Sequence, residues 1–239
     1  MPISVCIATY NGEAYIEAQL ESILIQLHEY DEVIISDDSS SDRTISIIEA
    51  LDDKRILIFK NQTFASHVYN FEHALKCAKN EYIFLSDQDD IWLPNKREKM
   101  LEHLKENDLV LSDAKVVDED LQILHQSFFA FNHSRKGMTK NLYKNSYLGC
   151  CMAFNRKILY QALPFPRDIN MHDWWIGMIA ELHGSVYFCD EKLILYRRHK
   201  QTLTLNDQHS SNSFFQKIGF RVMMIKGLFL SIFLRKRNT

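Results

Sequence analysis

Glycine and proline are scarce in this sequence, with seven and four among its 239 residues. So few turn-forming residues argue against low-complexity segments and long flexible linkers. No internal repeat recurs at a fixed period. The length is sufficient for one α/β domain with a full hydrophobic core, or for one domain with a small appendage.

Cysteines are also few, and no two of them have the CxxC spacing: they are Cys6, Cys77, Cys150, Cys151 and Cys189. An odd number of cysteines, none of them in a CxxC pair, predicts neither a disulfide framework nor a zinc site. We therefore expect a reducing, cytoplasmic location. The chain enters an apolar segment at Ile3 without a basic stretch before it, which is not typical of a secretory signal.

Acidic residues are missing from the end of the chain. All 31 Asp and Glu lie at or before Asp207, whereas six of the 28 Lys and Arg follow it. An acidic body argues against nucleic acid as a partner. In the basic tail, Arg221 and Lys226 interrupt every apolar run before it reaches membrane-spanning length. We expect residues 214–239 to form a basic amphipathic helix, which either lies on the anionic inner face of the cell membrane or packs on protein, as a cap or in a homodimer.

Short apolar segments alternate with segments of helical periodicity from the start to about residue 112. The predicted strands are Ile3–Ala8, Glu32–Ser36, Arg55–Phe59, Tyr82–Ser86 and Leu109–Ser112. This alternation predicts an α/β fold built from βαβ units, with a mainly parallel sheet flanked by helices on both faces. In such sheets ligands bind beyond the carboxyl ends of the strands.

Polar residues follow three of these strands: Thr9 to Gly12, Asp37 to Asp42, and Asp87 to Asp90. Each stretch alone could be a turn or a helix cap, but at one edge of one sheet they predict a binding site. The last stretch has three carboxylates in four residues, which repel one another unless a cation lies between them. Mg²⁺ or Mn²⁺ would suit these oxygen ligands. The alternative is a solvated acidic turn in which Asp90 caps a helix.

Three motifs, Ile7–Gly12, Ile35–Thr44 and Phe84–Trp92, resemble in order and spacing those of the inverting glycosyltransferases of family 2, which have the GT-A fold. The resemblance covers about residues 3–205. The motif Ser-Asp-Gln-Asp-Asp-Ile-Trp and the later motif His-Asp-Trp-Trp are similar to those of the rhamnosyltransferase-like branch of the family. We therefore expect a GT-A domain over residues 1–207, with a nucleotide-binding half at 1–112 and an acceptor-binding half at 113–207.

The resemblance implies a nucleotide pocket whose residues are Ala8, Thr9, Tyr10, Asp38, Asn70 and Asp87. Asp38 would accept a hydrogen bond from the N3–H of uracil or thymine. Asp87 and Asp89 would be the DxD pair that holds Mn²⁺ or Mg²⁺, and His199 would complete the metal shell or contact the diphosphate. Arg197, Arg198 or Lys200 would offset the charge of the phosphates.

Inverting transfer is a single displacement that needs a base for the acceptor hydroxyl. The resemblance assigns this base to Asp173, although Asp173 could instead be only a helix N-cap. His172 stands where the family usually has Glu, and either relays a proton or caps the helix. The sugar and acceptor contacts implied are Trp92, Gly149, Cys150, His172, Trp174 and Trp175. Trp92 could instead anchor the following helix, and one member of each of the pairs Cys150/Cys151 and Trp174/Trp175 is expected to pack inward.

The activity implied is metal-dependent, inverting transfer of rhamnose or a hexose from a dTDP- or UDP-sugar. The acceptor would be a saccharide or lipid-linked saccharide in bacterial surface polysaccharide synthesis. One alternative is a catalytically silent scaffold subunit that binds nucleotide sugars, against which intact Asp87, Asp89 and Asp173 argue. The other is a sugar-phosphate nucleotidyltransferase, which would need a glycine-rich loop after the first strand, where this chain has only Gly12.

Overall fold

The computed structural model describes residues 1–167, 169–198 and 214–235. Its strands are β1 (Ile3–Thr9), β2 (Glu32–Asp37), β3 (Ile56–Phe59), β4 (Tyr82–Ser86), β5 (Ile91–Trp92), β6 (Leu109–Val117), β7 (Ile123–His125), β8 (Met152–Asn155) and β9 (Val186–Arg197). Its helices are α1 (Ile16–Leu24), α2 (Thr44–Ala50), α3 (His67–Cys77), α4 (Lys96–Leu104), α5 (Phe128–Asn132), α6 (Met138–Tyr143), α7 (Arg156–Ala162), α8 (His172–His183) and α9 (Phe214–Arg235), and a 3₁₀ turn spans Gly149–Cys151.

The described strands form one mixed sheet in the order β3-β2-β1-β4-β8-β6-β9-β5, with β7 paired to β6. The first four strands pair in parallel, as the alternation of strands and helices predicts. β8 runs antiparallel between β4 and β6, and β6 is parallel to β9. Because β2, β1 and β4 are parallel neighbours, their carboxyl ends at Asp37, Thr9 and Ser86 lie side by side.

The parallel strands β1, β2 and β4 are mostly buried because helices cover both faces of the sheet, whereas β3 at the edge is half-buried. Every residue of β1 is buried except the partly exposed Ala8. Helix α1 turns Ile16, Leu20 and Ile23 toward this core, a spacing that places all three on one face. The sheet is therefore held rigidly at the point where the three polar stretches emerge from it.

Two long strands form the second part of the sheet. β6 continues beyond its predicted end at Ser112 to Val117, and β9 is one continuous strand of 12 residues. The two pair in parallel from Leu109 opposite Val186 to Val117 opposite Arg197, with register shifts after Ser112. The irregularity at these shifts explains why neither strand shows an unbroken apolar pattern.

Helix α9 has two apolar faces. On one, Met224 and Leu228 are buried, and a Cβ at Gly227 would lie only 2.9 Å from a ring carbon of Trp175 in α8. The other face is exposed and carries five large apolar side chains at alternating spacings of four and three: Ile218, Val222, Ile225, Phe229 and Ile232. In the part of the chain that the structure describes, every helix is too short or too polar to cross a bilayer.

Candidate active site

A cavity of about 900 Å³ opens at the carboxyl ends of β1, β2 and β4. Eight of the predicted site residues line it: Ala8, Thr9, Tyr10, Asp38, Asn70, Asp87, Asp89 and His172. The convergence of the three strand ends on one edge of the sheet is thereby confirmed. His199, the third predicted metal ligand, lies outside the described residues.

The loops after β1 and β2 are joined by hydrogen bonds. Thr9 Oγ1 donates to Asp37 Oδ2 over 2.8 Å, the Ser41 N–H donates to Asn11 Oδ1 over 2.9 Å, and the Asn11 N–H donates to Ser40 Oγ over 2.9 Å. Asn11 has a positive φ of 48°, which Asn tolerates better than most residues. These two loops form a preorganised wall of the cavity.

Asp38 lies at the base of that wall and holds the loop before α3. Its Oδ1 accepts the N–H of Phe64 over 2.6 Å, and its Oδ2 accepts the N–H of Ser66 over 3.3 Å. A carboxylate has about four acceptor positions, so two backbone donors leave capacity for a ligand donor. Asn70 is close by, and its Nδ2 donates to the Thr9 carbonyl over 3.1 Å.

The acidic loop, residues 87–90 after β4, places its carboxylates in a poorly hydrated environment. Burial, followed by the charges of Asp89 and Asp173, raises the pKa of Asp87 to about 7. The same effects, with burial first and Asp87 and Asp89 next, raise the pKa of Asp90 well above its usual range. Ligand atoms of Asp87, Asp90 and Cys150 lie within 4.8 Å of one another.

This donor set fits a divalent cation. Asp90 Oδ2 is buried and has no hydrogen-bond partner among the described residues, so it is an oxygen whose negative charge lacks compensation. A cation between the carboxylates would remove both the repulsion and the desolvation cost. The acidic stretch predicted all three carboxylates as candidate ligands, whereas the resemblance assigned the metal to only Asp87 and Asp89 among them. Because β5 follows Asp90, the alternative that Asp90 caps a helix is wrong.

Two basic residues of the protein, Lys96 and Arg197, lie beside the acidic loop. Lys96 is fully buried, and its Nζ donates to the Cys150 carbonyl over 2.8 Å. The backbone N–H of Arg197 donates to Asp90 Oδ1 over 2.9 Å, and Arg197 Nε donates to the Asp89 carbonyl over 2.8 Å. Arg197 lines the cavity as expected, but it holds the acidic loop with the same guanidinium that was expected to offset phosphate charge.

Asp173 lies in the first turn of α8, next to the cavity-lining His172. Its Oδ2 accepts the Gly149 N–H over 3.1 Å, and its Oδ1 accepts the Trp174 N–H over 2.6 Å. Burial raises the pKa of Asp173 to about 6, although the hydrogen bonds from Trp174 and Gly149 act in the opposite direction. The N-cap of α8 is Met171, so the reading of Asp173 as the N-cap is wrong.

His172 is a neutral, buried imidazole. Its ring stacks on Phe71 with centroids 4.0 Å apart, and the His67 ring meets it edge-on at 6.1 Å. Burial, with a smaller effect from His67, lowers the pKa of His172 to about 3. Neither ring nitrogen has a hydrogen-bond partner in the described part of the chain. An imidazole with so low a pKa is a poor proton relay near neutral pH, which argues against that expected role.

The three tryptophans lie in the core, which corrects the expectation that some of them face a sugar. The Nε1–H of Trp92 donates to Ser86 Oγ over 3.2 Å, that of Trp174 to the Asn141 carbonyl over 2.9 Å, and that of Trp175 to the Ala162 carbonyl over 2.9 Å. All three side chains are almost fully buried. A buried indole needs a partner for its N–H, and each has found one in the protein interior.

The turn Gly149–Cys151 passes beneath this part of the site. A Cβ at Gly149 would lie 3.1 Å from His172 Nε2, so glycine allows the close approach of the two segments. Cys150 and Cys151 are both fully buried, and the expectation that one of them opens to the cleft is wrong. Cys150 instead lies beside the acidic loop.

Several cavity residues were not anticipated, among them Gln62, His67, Gln88 and Tyr196. Gln88 sits between the two acids of the DxD pair, so its position in the motif was a signal that could have been used. Gln62 lies between β3 and α3 and His67 begins α3. No pattern in this part of the sequence distinguishes a cavity wall from a surface loop.

The fold and the acidic, strand-end cavity define a GT-A glycosyltransferase. Residues 4–163 match the family model described as Glycosyl transferase family 2, and the chain belongs to that family. Its activity is therefore that of a glycosyltransferase, and the nucleotidyltransferase alternative falls away.

Two relatives are similar over most of their length. The dTDP-rhamnosyl transferase RfbG of Shigella flexneri is 29% identical over 231 residues, covering 87% of this chain and 75% of the relative. The UDP-Glc:alpha-D-GlcNAc-diphosphoundecaprenol beta-1,3-glucosyltransferase WfgD of Escherichia coli is 25% identical over 208 residues, covering 85% and 80%. These similarities associate the chain with polysaccharide biosynthesis.

Solved structures agree on the fold. TarS 1–349 of S. aureus in complex with UDP-GlcNAc superimposes with a TM-score of 0.69 at 21% identity, covering 94% of this chain and 66% of that one. The mannosyltransferase PcManGT of Pyrobaculum calidifontis, in complex with GDP-Man and Mn²⁺, gives 0.60 at 19% identity, covering 81% and 56%.

Proposed function

We propose that this glycosyltransferase transfers rhamnose or a hexose from a dTDP- or UDP-sugar, with Mn²⁺ or Mg²⁺ and with inversion at the anomeric carbon. The acceptor is a saccharide or lipid-linked saccharide of a bacterial surface polysaccharide. The observation that carries the proposal is one cavity lined both by Asp38 and by the pair Asp87 and Asp89. Relatives named for dTDP-rhamnose and UDP-glucose, and a structural neighbour solved with Mn²⁺, support it.

In this proposal the base of the nucleotide lies against Tyr10 and Asp38, and its diphosphate lies toward the acidic loop. Asp87 and Asp89, with Asp90 behind them and His199 from outside the described residues, would hold the metal. When bound, a divalent cation supplies Lewis-acid stabilisation of charge on the leaving diphosphate. Residues 1–112 thus serve the nucleotide, and residues 113–207 serve the acceptor.

Asp173 is the proposed general base. The acceptor oxygen bonds to the anomeric carbon, its proton passes to Asp173, and the bond from that carbon to the diphosphate oxygen breaks. A base works best when its pKa lies near the operating pH, and burial brings the pKa of Asp173 to about 6. Gly149 and Trp174 hold the carboxylate in place through their N–H groups.

We further propose that α9 attaches the protein to the cytoplasmic face of the cell membrane. The helix presents an exposed apolar stripe, and its sequence has four Lys or Arg and no acid. Two copies of such a surface would bring like charges together, so charge favours anionic lipid over a homodimer. Tyr143, which is 79% exposed, lies under the Arg221 guanidinium of α9 and extends the same surface.

A thermal-shift screen tests the donor site. UDP, dTDP, GDP and CDP are each added with Mn²⁺, Mg²⁺ or EDTA, and we expect stabilisation by UDP or dTDP that requires metal. Asp89→Asn should lose this stabilisation, whereas Asp173→Asn should keep it and lose transfer. Asp190→Asn, an exposed acid in β9, is the matched control and should behave as wild type.

Metal-independent stabilisation, or none with any nucleotide, would contradict the proposed donor site. Transfer at the wild-type rate by Asp173→Asn would contradict the assignment of the base. Detection of the α or β configuration of the product, by NMR of the new linkage, decides whether transfer inverts.

A further inference from the structure

Gln88 connects the acidic loop to the loop after β1. Its Oε1 accepts the N–H of Tyr10 over 3.0 Å, and its Nε2 donates to the carbonyl of Tyr10 over 3.2 Å. The side-chain amide thus pairs with the backbone of one residue through two hydrogen bonds. Gln88 lies between Asp87 and Asp89 in the sequence, and it lines the cavity together with Tyr10, Asp87 and Asp89.

Gly12 makes room for this amide. A Cβ at Gly12 would lie 2.6 Å from Gln88 Oε1 and 2.8 Å from Gln88 Cδ, closer than real Cβ contacts allow. Gly12 is not among the residues with a positive φ, so its backbone does not itself require glycine. The glycine of the Asn-Gly pair is therefore explained by contact with Gln88 rather than by the turn.

The loop that Gln88 holds is also tied to the loop after β2. The Gly12 N–H donates to Thr44 Oγ1 over 2.7 Å, and the Glu13 N–H donates to Asp42 Oδ2 over 3.0 Å. A shift of the acidic loop would therefore be transmitted through Gln88 to Tyr10 and to the wall that contains Asp38. Where ligand binding displaces one of these loops, the hydrogen bonds carry the displacement to the other loop, and coupling between two sites needs such a shared change.

We infer that Gln88 is a positioning residue that couples metal binding at Asp87 and Asp89 to binding of a nucleoside diphosphate at Tyr10 and Asp38. The inference rests on the proposed function. Gln88 itself is not required to touch the reacting atoms, because its effect passes through the backbone of Tyr10. Coupling of this kind is reciprocal, so metal tightens nucleotide binding and nucleotide tightens metal binding by the same factor.

The first test measures the coupling by calorimetric titration of UDP or dTDP in Mn²⁺ and in EDTA. Gln88→Met keeps the length of the side chain and removes both hydrogen bonds. We expect nucleotide affinity in Mn²⁺ to fall about tenfold, and the factor by which Mn²⁺ raises that affinity to shrink accordingly. Affinity in EDTA should change little. Gln122→Met, in the exposed turn before β7, is the matched control and should keep the wild-type coupling.

The second test is a double-mutant cycle with Gly12→Ala, read by thermal unfolding without ligand. The added methyl should lower the unfolding midpoint in the wild-type background, because it overlaps the Gln88 amide. In a Gln88→Ala background the same change should have little effect, since the overlapping atoms are gone. An equal loss in both backgrounds would refute the contact on which the inference depends.

The outcomes separate the two proposals. If wild type binds UDP or dTDP with Mn²⁺ and Gln88→Met binds them equally well, the coupling is refuted and the proposed function stands. If wild type binds no nucleoside diphosphate with any metal, the proposed function fails and the coupling fails with it. Reduced metal enhancement in Gln88→Met, together with relief of Gly12→Ala by Gln88→Ala, supports the inference.

Discussion

At the scale of single residues, the site concentrates carboxylates where burial penalises charge. Burial is the largest cause of the raised pKa values of Asp87, Asp90 and Asp173. Mutual repulsion adds to it for the two acids of the loop, whereas Asp173 is partly relieved by two backbone N–H donors. The two groups therefore suit different tasks: Asp87 and Asp90 suit a cation, and Asp173 suits proton transfer.

The raised pKa of Asp173 predicts the pH profile of transfer. Because the base must be ionised, kcat/KM should rise with pH through about 6 and level off above it. Assays from pH 5 to 8 with saturating metal measure this limb. Asp173→Asn should lose the limb together with the activity, while Asp190→Asn keeps both. A profile that is flat between pH 5 and 7 in wild type would contradict the assignment.

The raised pKa of Asp173 also makes the free energy of unfolding depend on pH. Between the ordinary pKa of an Asp, about 4, and the folded value of about 6, the folded protein holds a proton that the unfolded chain has released. The contribution of Asp173 to stability is therefore present at low pH and decreases as pH rises through this window.

At the scale of elements, α8 connects the site to the rest of the protein. Its first turn carries His172 and Asp173, and the face behind them is packed by neighbouring elements. Tyr147 contacts the helix at Gly177, and Trp175 contacts α9 at Gly227. The position of the proposed base is thus fixed by packing at some distance from the cavity.

Gly177→Ala tests this packing. A Cβ there would overlap the ring of Tyr147, and overpacking of this kind costs about 1–3 kcal/mol despite the better helix propensity of Ala. Gly219→Ala in α9 is the matched control, since nothing lies within 4 Å of its Cβ position. It should stabilise the protein by up to about 1 kcal/mol. Urea unfolding measures the change in unfolding free energy for both variants. Equal changes would contradict the packing of Tyr147 against Gly177.

Membrane attachment through α9 is tested by sedimentation with vesicles. We expect binding to vesicles rich in phosphatidylglycerol, little binding to neutral phosphatidylcholine vesicles, and weakening by added salt. Replacing Val222 and Phe229 together by Ser should reduce binding. Ile25→Ser, which changes an apolar side chain that is 86% exposed after α1, should leave it unchanged. If the double variant instead converts a dimer to a monomer in gel filtration, the stripe is a homodimer surface.

At the scale of the whole molecule, the sheet joins two halves through β8. The parallel strands β1, β2 and β4 present three of the loops that line the cavity, and the β6 to β9 half contributes α8 and the end of β9 at Arg197. Arg197 links the halves directly, because it donates to the backbone of Asp89 and to the side chain of Asp90.

A buried ion pair secures the opposite end of the sheet. Arg97 in α4 lies 2.8 Å from Asp31, which also accepts the N–H of Ile3 over 2.8 Å and that of His28 over 2.7 Å. Removal of one partner leaves an unpaired buried charge, so Arg97→Met should destabilise the protein by about 3–5 kcal/mol in urea unfolding at pH 7. Arg43→Met, which breaks an exposed pair with Glu13, should cost about 1 kcal/mol or less.

The same pair predicts sensitivity to acid. Burial acts to raise the pKa of Asp31, but hydrogen bonds from Arg97, His28 and Ile3 outweigh it and leave the pKa below the ordinary value. Its stabilisation is therefore present above about pH 4 and is lost as pH falls through the folded pKa. If the unfolding free energies of Arg97→Met and wild type differ as much at pH 2 as at pH 7, this account of the pair is wrong.

The amino-acid sequence by itself determined the α/β class and the order of the motifs that follow the parallel strands. It also determined that three polar strand ends converge at one edge of the sheet. These are local signals, because periodicity and motif spacing are set by neighbours in the chain. Given parallel adjacent strands, Thr9, Asp38 and Asp87 had to emerge at the same edge. The family followed from the same motifs.

Only the tertiary structure decided which side chains at these positions face the cavity and which face the core. Trp92, Trp174 and Trp175 pack inward because other elements of the fold cover them and supply carbonyl or hydroxyl partners for their indole N–H groups. Asp90 and Lys96 are paired with elements about 50 to 100 residues away, at Cys150 and Arg197. The contact between Gln88 and Gly12 likewise joins two loops that no local pattern connects. Burial and hydrogen-bond partnership depend on the whole packed molecule, which is why spacing alone could not assign them.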